Sequence, residues 1–518
     1  MVYATITISQ NIQIGSGTPG LTLDGDDLYV TGNAEVDGTL AAKTGGAVTF
    51  VVAASDASTR IINQADYIAD GTADDVEIQA AIDALPTAGG TVFLSEGTFT
   101  LAEGININDN DIAFVGSGYA TLIKAGSSVT FTNSALVRTS GGKSRIRIAN
   151  LTIDGNKANN TGGADNIRIT SASSLVTIEN VRSLNSDDVG ISVDAATDVL
   201  VTGCYVDSPV TKGIDVTSDS VSHVRIEGCH ILSTGEGGIE IDDGADYVTV
   251  VGNIFESAGP STSYSAIDIH NHSGLAGPTQ VSIIGNTIQG ATSNGVVVKH
   301  VSGGSSIPRE ITIQGNTIAP IITGIGILVR GSEFVAVQGN SIVSGSRGIQ
   351  VDTSSKYVTV TGNVARNAEF AGIELDAVTY VTVTGNVSVD DGAAVQNHGV
   401  LEDNGSDNNL IQGNVVLGNA TAQITFAGAS TIVRNNKSFV TENSGTGTIT
   451  SGGTSVTITH GLSITPAAGD CTFVGAENPT NTVGTVWIDT YTSTQMNLNV
   501  ENDPGASNFD VSWRCAVY

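Results

Sequence analysis

The residues of this chain that could do chemistry recur at fixed places in a repeated strand: Gly213-Ile214-Asp215-Val216-Thr217, Gly238-Ile239-Glu240-Ile241-Asp242 and Ala266-Ile267-Asp268-Ile269-His270. Alternate side chains of a strand leave opposite faces. With each Ile and Val turned inward, the residues between them form two outward columns. The first runs Ser192, Asp215, Glu240, Asp268, Val297, Leu328, Gln350, Glu374, and the second Asp194, Thr217, Asp242, His270, Lys299, Arg330, Asp352, Asp376. Carboxylates one repeat apart in a column lie about 5 Å apart, and diagonal or two-repeat pairs roughly 7 to 10 Å. Those separations cover the carboxyl pairs of retaining and inverting glycoside hydrolysis. Stacked acids repel, so one is expected to keep its proton near neutral pH and act as general acid.

Glu240 and Asp268 form the first candidate catalytic pair, followed by Asp242 and Asp215, with His270 orienting or carrying a proton. Lys299, Arg330 and His272 are the candidate substrate-binding groups, the two cations suiting a carboxylate or sulfate. The same face could instead run an elimination, in which Lys299, Arg330 or His270 removes the proton beside a uronate carboxylate. No metal is assigned. A calcium ion among Asp242, Asp243 and Asp268 is the alternative that stacked carboxylates would suit. Each acid also has a plain structural role, since outward charges keep a sheet face soluble and block edge association. What favours a site is the gathering of acids, imidazole and cations on adjacent repeats, beside insertions at 257–264, 271–279 and 301–308 that could wall a groove.

The elements that must position these residues are written in the spacing of a Gly-Asn step. It recurs at Gly252-Asn253, Gly285-Asn286, Gly315-Asn316, Gly339-Asn340, Gly362-Asn363, Gly385-Asn386 and Gly413-Asn414, with successive Asn residues 33, 30, 24, 23, 23 and 28 positions apart. A floor near 23 with occasional excess means one coil per repeat, with loops inserted on some turns. Alternation such as Tyr247-Val248-Thr249-Val250 makes the segments strands. No coil can bury its apolar side alone, so the coils must stack. The expected fold is all-β: a right-handed, single-stranded parallel β-helix of about eleven or more coils. At a strand spacing of roughly 4.8 Å it is a rod on the order of 50 Å long. Gly permits the positive φ of the bend, and the Asn amides can stack coil on coil. Cys204 and Cys229 replace that Asn in two neighbouring coils, as buried thiols or as a bridge, with thiols favoured. The same alternatives hold for Cys471 and Cys515.

Three regions are expected: a β-rich attachment segment at 1–50, the β-helix with its N-terminal cap at 51–440, and an antiparallel β-sandwich at 441–518. The first has Asp-Gly turns at Leu23-Asp24-Gly25-Asp26 and Val36-Asp37-Gly38-Thr39 and too little apolar content for its own core. Helical spacing at Val76, Ile78, Ala81, Ile82 and Leu85, with Thr72 as N-cap, predicts a helix that closes the open end of the rod. The last region has Val456-Thr457-Ile458-Thr459, Val486-Trp487-Ile488 and Val511-Ser512-Trp513, including both tryptophans of the chain, expected mainly in its core. Tyr247, Tyr357 and Tyr380 share one coil position and predict a structural stack.

Asp70-Gly71-Thr72-Ala73-Asp74-Asp75, then Ile78-Gln79-Ala80-Ala81-Ile82 and Gly89-Gly90-Thr91-Val92, resembles the opening of the pectate-lyase-like β-helix superfamily, especially its bacteriophage tailspike members, over roughly 55–440. That resemblance implies a virion tail or extracellular protein that is a homotrimer, attached through residues 1–50 and acting on a polysaccharide. The first expectation is an endo-acting glycoside hydrolase; a polysaccharide lyase on the same face or a non-catalytic carbohydrate-binding adhesin or fibre are the alternatives. Composition agrees. A net charge of −31 argues against nucleic acid and anionic membranes as partners. The start Met1-Val2-Tyr3-Ala4-Thr5 does not read as a signal peptide, and no run reaches the ~20 apolar residues of a membrane span.

Overall fold

The computed structural model describes residues 12–14, 28–30, 48–132, 134–259, 264–321, 323–392, 396–476 and 479–517. Two compact units divide at Ala47 and Val48. In the first, Ile12–Ile14 pairs in parallel with Leu28–Val30; the Asp-Gly turns expected at 23–26 and 36–39 lie outside the described residues.

The second unit is built from coils, because each repeat supplies three short strands that pair in parallel with the same strands of the next. One ladder is a sheet of 13 strands running from Ile105–Ile107 to Ala422–Thr425. It holds every strand of the two predicted columns, and their register is the one read from sequence: Asp215 pairs with Glu240, Glu240 with Asp268, Asp242 with His270, His270 with Lys299 and Lys299 with Arg330. Inward residues such as Ile214, Ile239, Ile267 and Val296 are fully buried. At roughly 25 cal/mol per Å² of apolar surface, this continuous slim core is the main stabilising term.

The turns between ladders carry the predicted amide stack. The Asn253 side chain donates to Asn286 Oδ1 at 3.0 Å, and the same bond continues through Asn316, Asn340, Asn363, Asn386 and Asn414 to Asn436 at 2.9 to 3.0 Å. Each amide also donates to a backbone carbonyl, so buried polar groups are satisfied along the rod. Cys204 and Cys229 are buried unbridged thiols, and the Cys229 N–H donates to Asn253 Oδ1 at 2.8 Å. The tyrosine stack is shorter than expected. Tyr357 stacks on Tyr380 and is joined by Phe334, but Tyr247 stacks on His223, because Gln280 and Glu310 fill the coils between.

The capping helix spans Asp75–Asp83, with Ile78, Ala81 and Ile82 buried in the rod core. Its N-cap is Asp74, not Thr72: the Thr72 hydroxyl donates to Asp70, and the Asp74 carboxylate accepts from the N–H groups of Gly71 and Thr100. Val76, counted for the apolar face, is 60% exposed.

Two three-stranded antiparallel sheets follow the last coil, Glu442–Ile449, Phe509–Ala516 and Cys471–Gly475 in one, Ser455–Thr459, Gln495–Val500 and Val486–Tyr491 in the other. Cys471 and Cys515 are register partners joined by a disulfide, against the preference for thiols. Trp513 is buried among Ile449, Leu498 and Val511, whereas Trp487 is 41% exposed.

Candidate functional site

Both columns project from the 13-stranded sheet, yet the first is buried throughout, and so are Asp242, His270 and Asp352 of the second, whose Arg330 is exposed. Asp242 is 1% and Asp268 3% exposed. Burial without partners would be prohibitive for so many charges, so each must be answered. Lys212, in the turn before its strand, sits 3.2 Å from Asp215 and 2.5 Å from Glu240. Lys299 sits 2.8 Å from Asp268. His270 lies between two acids, its Nδ1 3.2 Å from Asp268 Oδ1 and its Nε2 3.9 Å from Glu240 Oε1. The His272 ring packs edge-on against His270 at 4.9 Å, with Nδ1 3.0 Å from Asp243 and 3.8 Å from Asp242.

Glu240, Asp268, His270, His272 and Lys299 therefore meet, as expected, lining one cleft of about 240 Å³. Three residues that the column reading missed line it as well. Lys212 and Glu236 precede the strands, and Tyr264, from the 257–264 insertion, donates its hydroxyl to Glu236 at 2.9 Å. No periodic signal marks them, although Lys212 could have been found as a rare cation three residues before Asp215. Arg330 is outside this cleft, held by Asp352 at 2.7 to 3.0 Å. Asp215 and Asp242 lie beside it. Beyond His272, Thr217, Asp219, Asp243, Leu275 and Ser305 line a second hollow of about 400 Å³, walled by the 271–279 and 301–308 insertions.

The first column also extends further back than the sequence reading took it. Asn106, Arg138 and Arg168 stand in register ahead of Ser192. Arg168 reaches Asp194 at 2.8 Å.

Electrostatics separate the acids. Burial, reinforced by the Asp215 charge, pushes Asp242 up to about 9, and burial raises Asp215 to about 6 against the pull of Lys212. Burial also pushes Asp268 upward, but His270 and Lys299 overcome it and hold that carboxyl below the usual range. Asp242 is thus the acid that keeps a proton near neutral pH, and Asp268, of the pair expected to do so, is instead an anion that supports His270. The four side chains of Glu240, Asp242, His270 and His272 bring one metal-ligating atom each within 4.8 Å of one another; the calcium trio of Asp242, Asp243 and Asp268 is not the set that converges, since Asp268 faces Lys299.

A family profile described as right handed beta helix region matches residues 95–255 and 265–438. The chain belongs to that family. Among solved structures, this β-helix is similar to the A-module of mannuronan C-5 epimerase AlgE4 of Azotobacter vinelandii, 19% identical with a TM-score of 0.51, covering 74% of this chain and 100% of that one. It is also similar to the AlgE6 A-module of the same organism, at 21% identity and a TM-score of 0.48 over 71% and 96% of the two chains. A tailspike protein mutant of Escherichia coli bacteriophage HK620, in complex with a hexasaccharide, is 13% identical with a TM-score of 0.47 over 86% and 89%. At these identities the likeness shows the fold. No curated protein sequence matches the chain.

Proposed function

We propose that this β-helix protein modifies an acidic polysaccharide by removing the proton beside a uronate carboxylate, with His270 as the base. The observation that carries this reading is the placement of His270 in the cleft, backed by the anionic Asp268 at 3.2 Å and flanked by Lys212 and Lys299. A carboxylate that loses its α proton becomes a dianionic enolate, and the two half-buried ammonium groups of Lys212 and Lys299 are suited to stabilise it. In the resting cleft Glu240 and Asp268 hold those lysines, and a uronate competes for them.

The step balances as an elimination. The C5–H bond breaks with its proton going to His270, the electron pair forms the C4–C5 double bond, and the C4–O bond breaks as Tyr264 gives its proton to the leaving oxygen. Tyr264 takes that donor role because it is a protonated hydroxyl lining the cleft, although its hydrogen bond to Glu236 raises its pKa and makes it the weaker acid. Return of the proton from the other side, without loss of the C4 oxygen, would instead invert C5. Neither course requires a cofactor. The reading rests on side chains, because the likeness to the epimerase module carries only the fold.

Incubation with polymannuronate, polyguluronate and polygalacturonate tests it. The expected result is ultraviolet-absorbing unsaturated ends, or deuterium at C5 when the solvent is D2O, with His270→Ala lowering either rate by about 100-fold or more. Glycoside hydrolysis is the second reading, favoured by the proton that Asp242 keeps at neutral pH. New reducing ends without absorbance or exchange, lost in Asp242→Asn, would replace the first reading with it. As a non-catalytic adhesin the chain would do neither. In all three readings the protein works outside the host cell, as a homotrimer on a virion tail attached through residues 1–50. The tailspike resemblance supports that assembly, and sedimentation equilibrium at three chain masses is its check.

A further inference from the structure

We propose that Glu240, Asp242, His270 and His272 form a binding site for a divalent transition-metal ion, and that its occupancy turns the cleft off. The switching half of this inference rests on His270 being the base.

The four ligating atoms already lie within 4.8 Å of one another. His270 Nε2 is 3.9 Å from Glu240 Oε1, and His272 Nδ1 is 3.8 Å from Asp242 Oδ2. Metal–ligand bonds of about 2.0 to 2.2 Å in a tetrahedron set ligand atoms roughly 3.4 Å apart, so closure takes about 1 Å of side-chain motion. His272, whose side chain is 54% exposed, has room to make it once its Nδ1 leaves Asp243, 3.0 Å away. Independently of that convergence, Asp242 Oδ1 is buried without a hydrogen-bond partner, and the residue is more than nine-tenths buried. An unanswered buried polar atom is costly, and a ligand that draws on this side chain offsets the cost.

Two imidazoles with two carboxylates suit zinc, cobalt or manganese, whereas calcium takes six to eight oxygens. Lys212, 2.5 Å from Glu240, lowers the affinity without removing the site, since it is shared with Asp215. An ion held this way engages the His270 lone pair, and a base without its lone pair accepts no proton.

The test is titration of the full chain with CoCl2 and ZnCl2, followed by isothermal calorimetry and by the visible absorption of bound cobalt. One equivalent is expected, weakened at least 10-fold in His272→Ala and Asp242→Asn, unchanged in His230→Ala on another face, and not displaced by CaCl2. Circular dichroism verifies that the variants fold, and the exposed His272 is the safer of the two. No uptake, or uptake indifferent to His272→Ala and Asp242→Asn, overturns the site. On a polyuronate substrate zinc is then expected to stop turnover at the concentration at which it binds. Turnover that rises with zinc keeps the metal site but overturns the switch and the assignment of His270 as base.

Discussion

Asp268 and Lys299 illustrate how a buried charge acquires a task. Alone, either would be expelled from a site this dry; together at 2.8 Å they are held, and their shared field faces His270. Asp268→Asn keeps the shape and removes the negative charge behind the imidazole, so it is expected to lower turnover of a polyuronate about 100-fold with an unchanged circular dichroism spectrum. Tyr264→Phe removes the proton donor to the leaving oxygen. It is expected to reduce the appearance of unsaturated ends much more than the exchange of the C5 proton, and a rate meter for each would separate the two steps. At this scale the sequence was informative wherever strand alternation governs a side chain. Glu240, Asp268, His270 and Lys299 came together because their register obeys a period of two. Lys212 and Tyr264 escaped notice because turns and loops have no period, and Arg330 stays outside the cleft because Asp352, its partner on the next rung of the same column, holds it.

Among the elements, the Asn ladder is the part most open to direct test. Asn340 is fully buried, donates to the Ile313 carbonyl and to Asn363, and accepts from the backbone and side chain of Asn316. Asn340→Ala strands several of these groups and is expected to cost about 3 kcal/mol in urea denaturation. Its repeat was plain in the sequence, since the Gly-Asn step admits few other backbone geometries. The helix cap was less so. Asp74 and Thr72 are both competent cap types, and in the structure neither side chain caps the helix: the Thr72 hydroxyl turns to Asp70, and the Asp74 carboxylate accepts from Gly71 and Thr100.

A strand-end acid that does not line the cleft gives a pH test. Burial raises Asp165 to about 8 despite Arg168, which lies 3.7 Å away, while Asp188 and Asp215 add repulsion and the Val189 N–H donates to its carboxylate. The unfolded chain releases this proton near 3.8 and the folded chain near 8, so the folded state binds more protons between those values. Its contribution is fully present below the lower value and is lost as pH rises through the upper one. The unfolding temperature should therefore fall as pH rises from about 4 to about 8, and Asp165→Asn should flatten that decline.

For the molecule as a whole, the rod and its C-terminal sheets have separate cores, and they should melt as distinguishable cooperative units. The disulfide closes a separation of 44 residues, worth about 4 kcal/mol by loop entropy. Cys471→Ser with Cys515→Ser is expected to lower the transition followed by tryptophan fluorescence, both tryptophans being in these sheets, and to leave the far-ultraviolet transition of the rod in place. Repetition explains why this architecture was readable from one chain: each coil restates the pattern, so errors in one are corrected by the next. The disulfide was not readable, because two cysteines in non-repeating strands carry no such restatement.

The unequal lengths of the coils have a practical consequence. A turn of 33 residues and one of 23 return the chain to the same rung, so extra loop length leaves the spacing of the cleft untouched. The barrel of strands thus behaves as a socket board. The segments at 271–279 and 301–308 should be exchangeable for foreign loops as cassettes, which would retarget the protein to a different glycan while the chemistry beneath continues undisturbed.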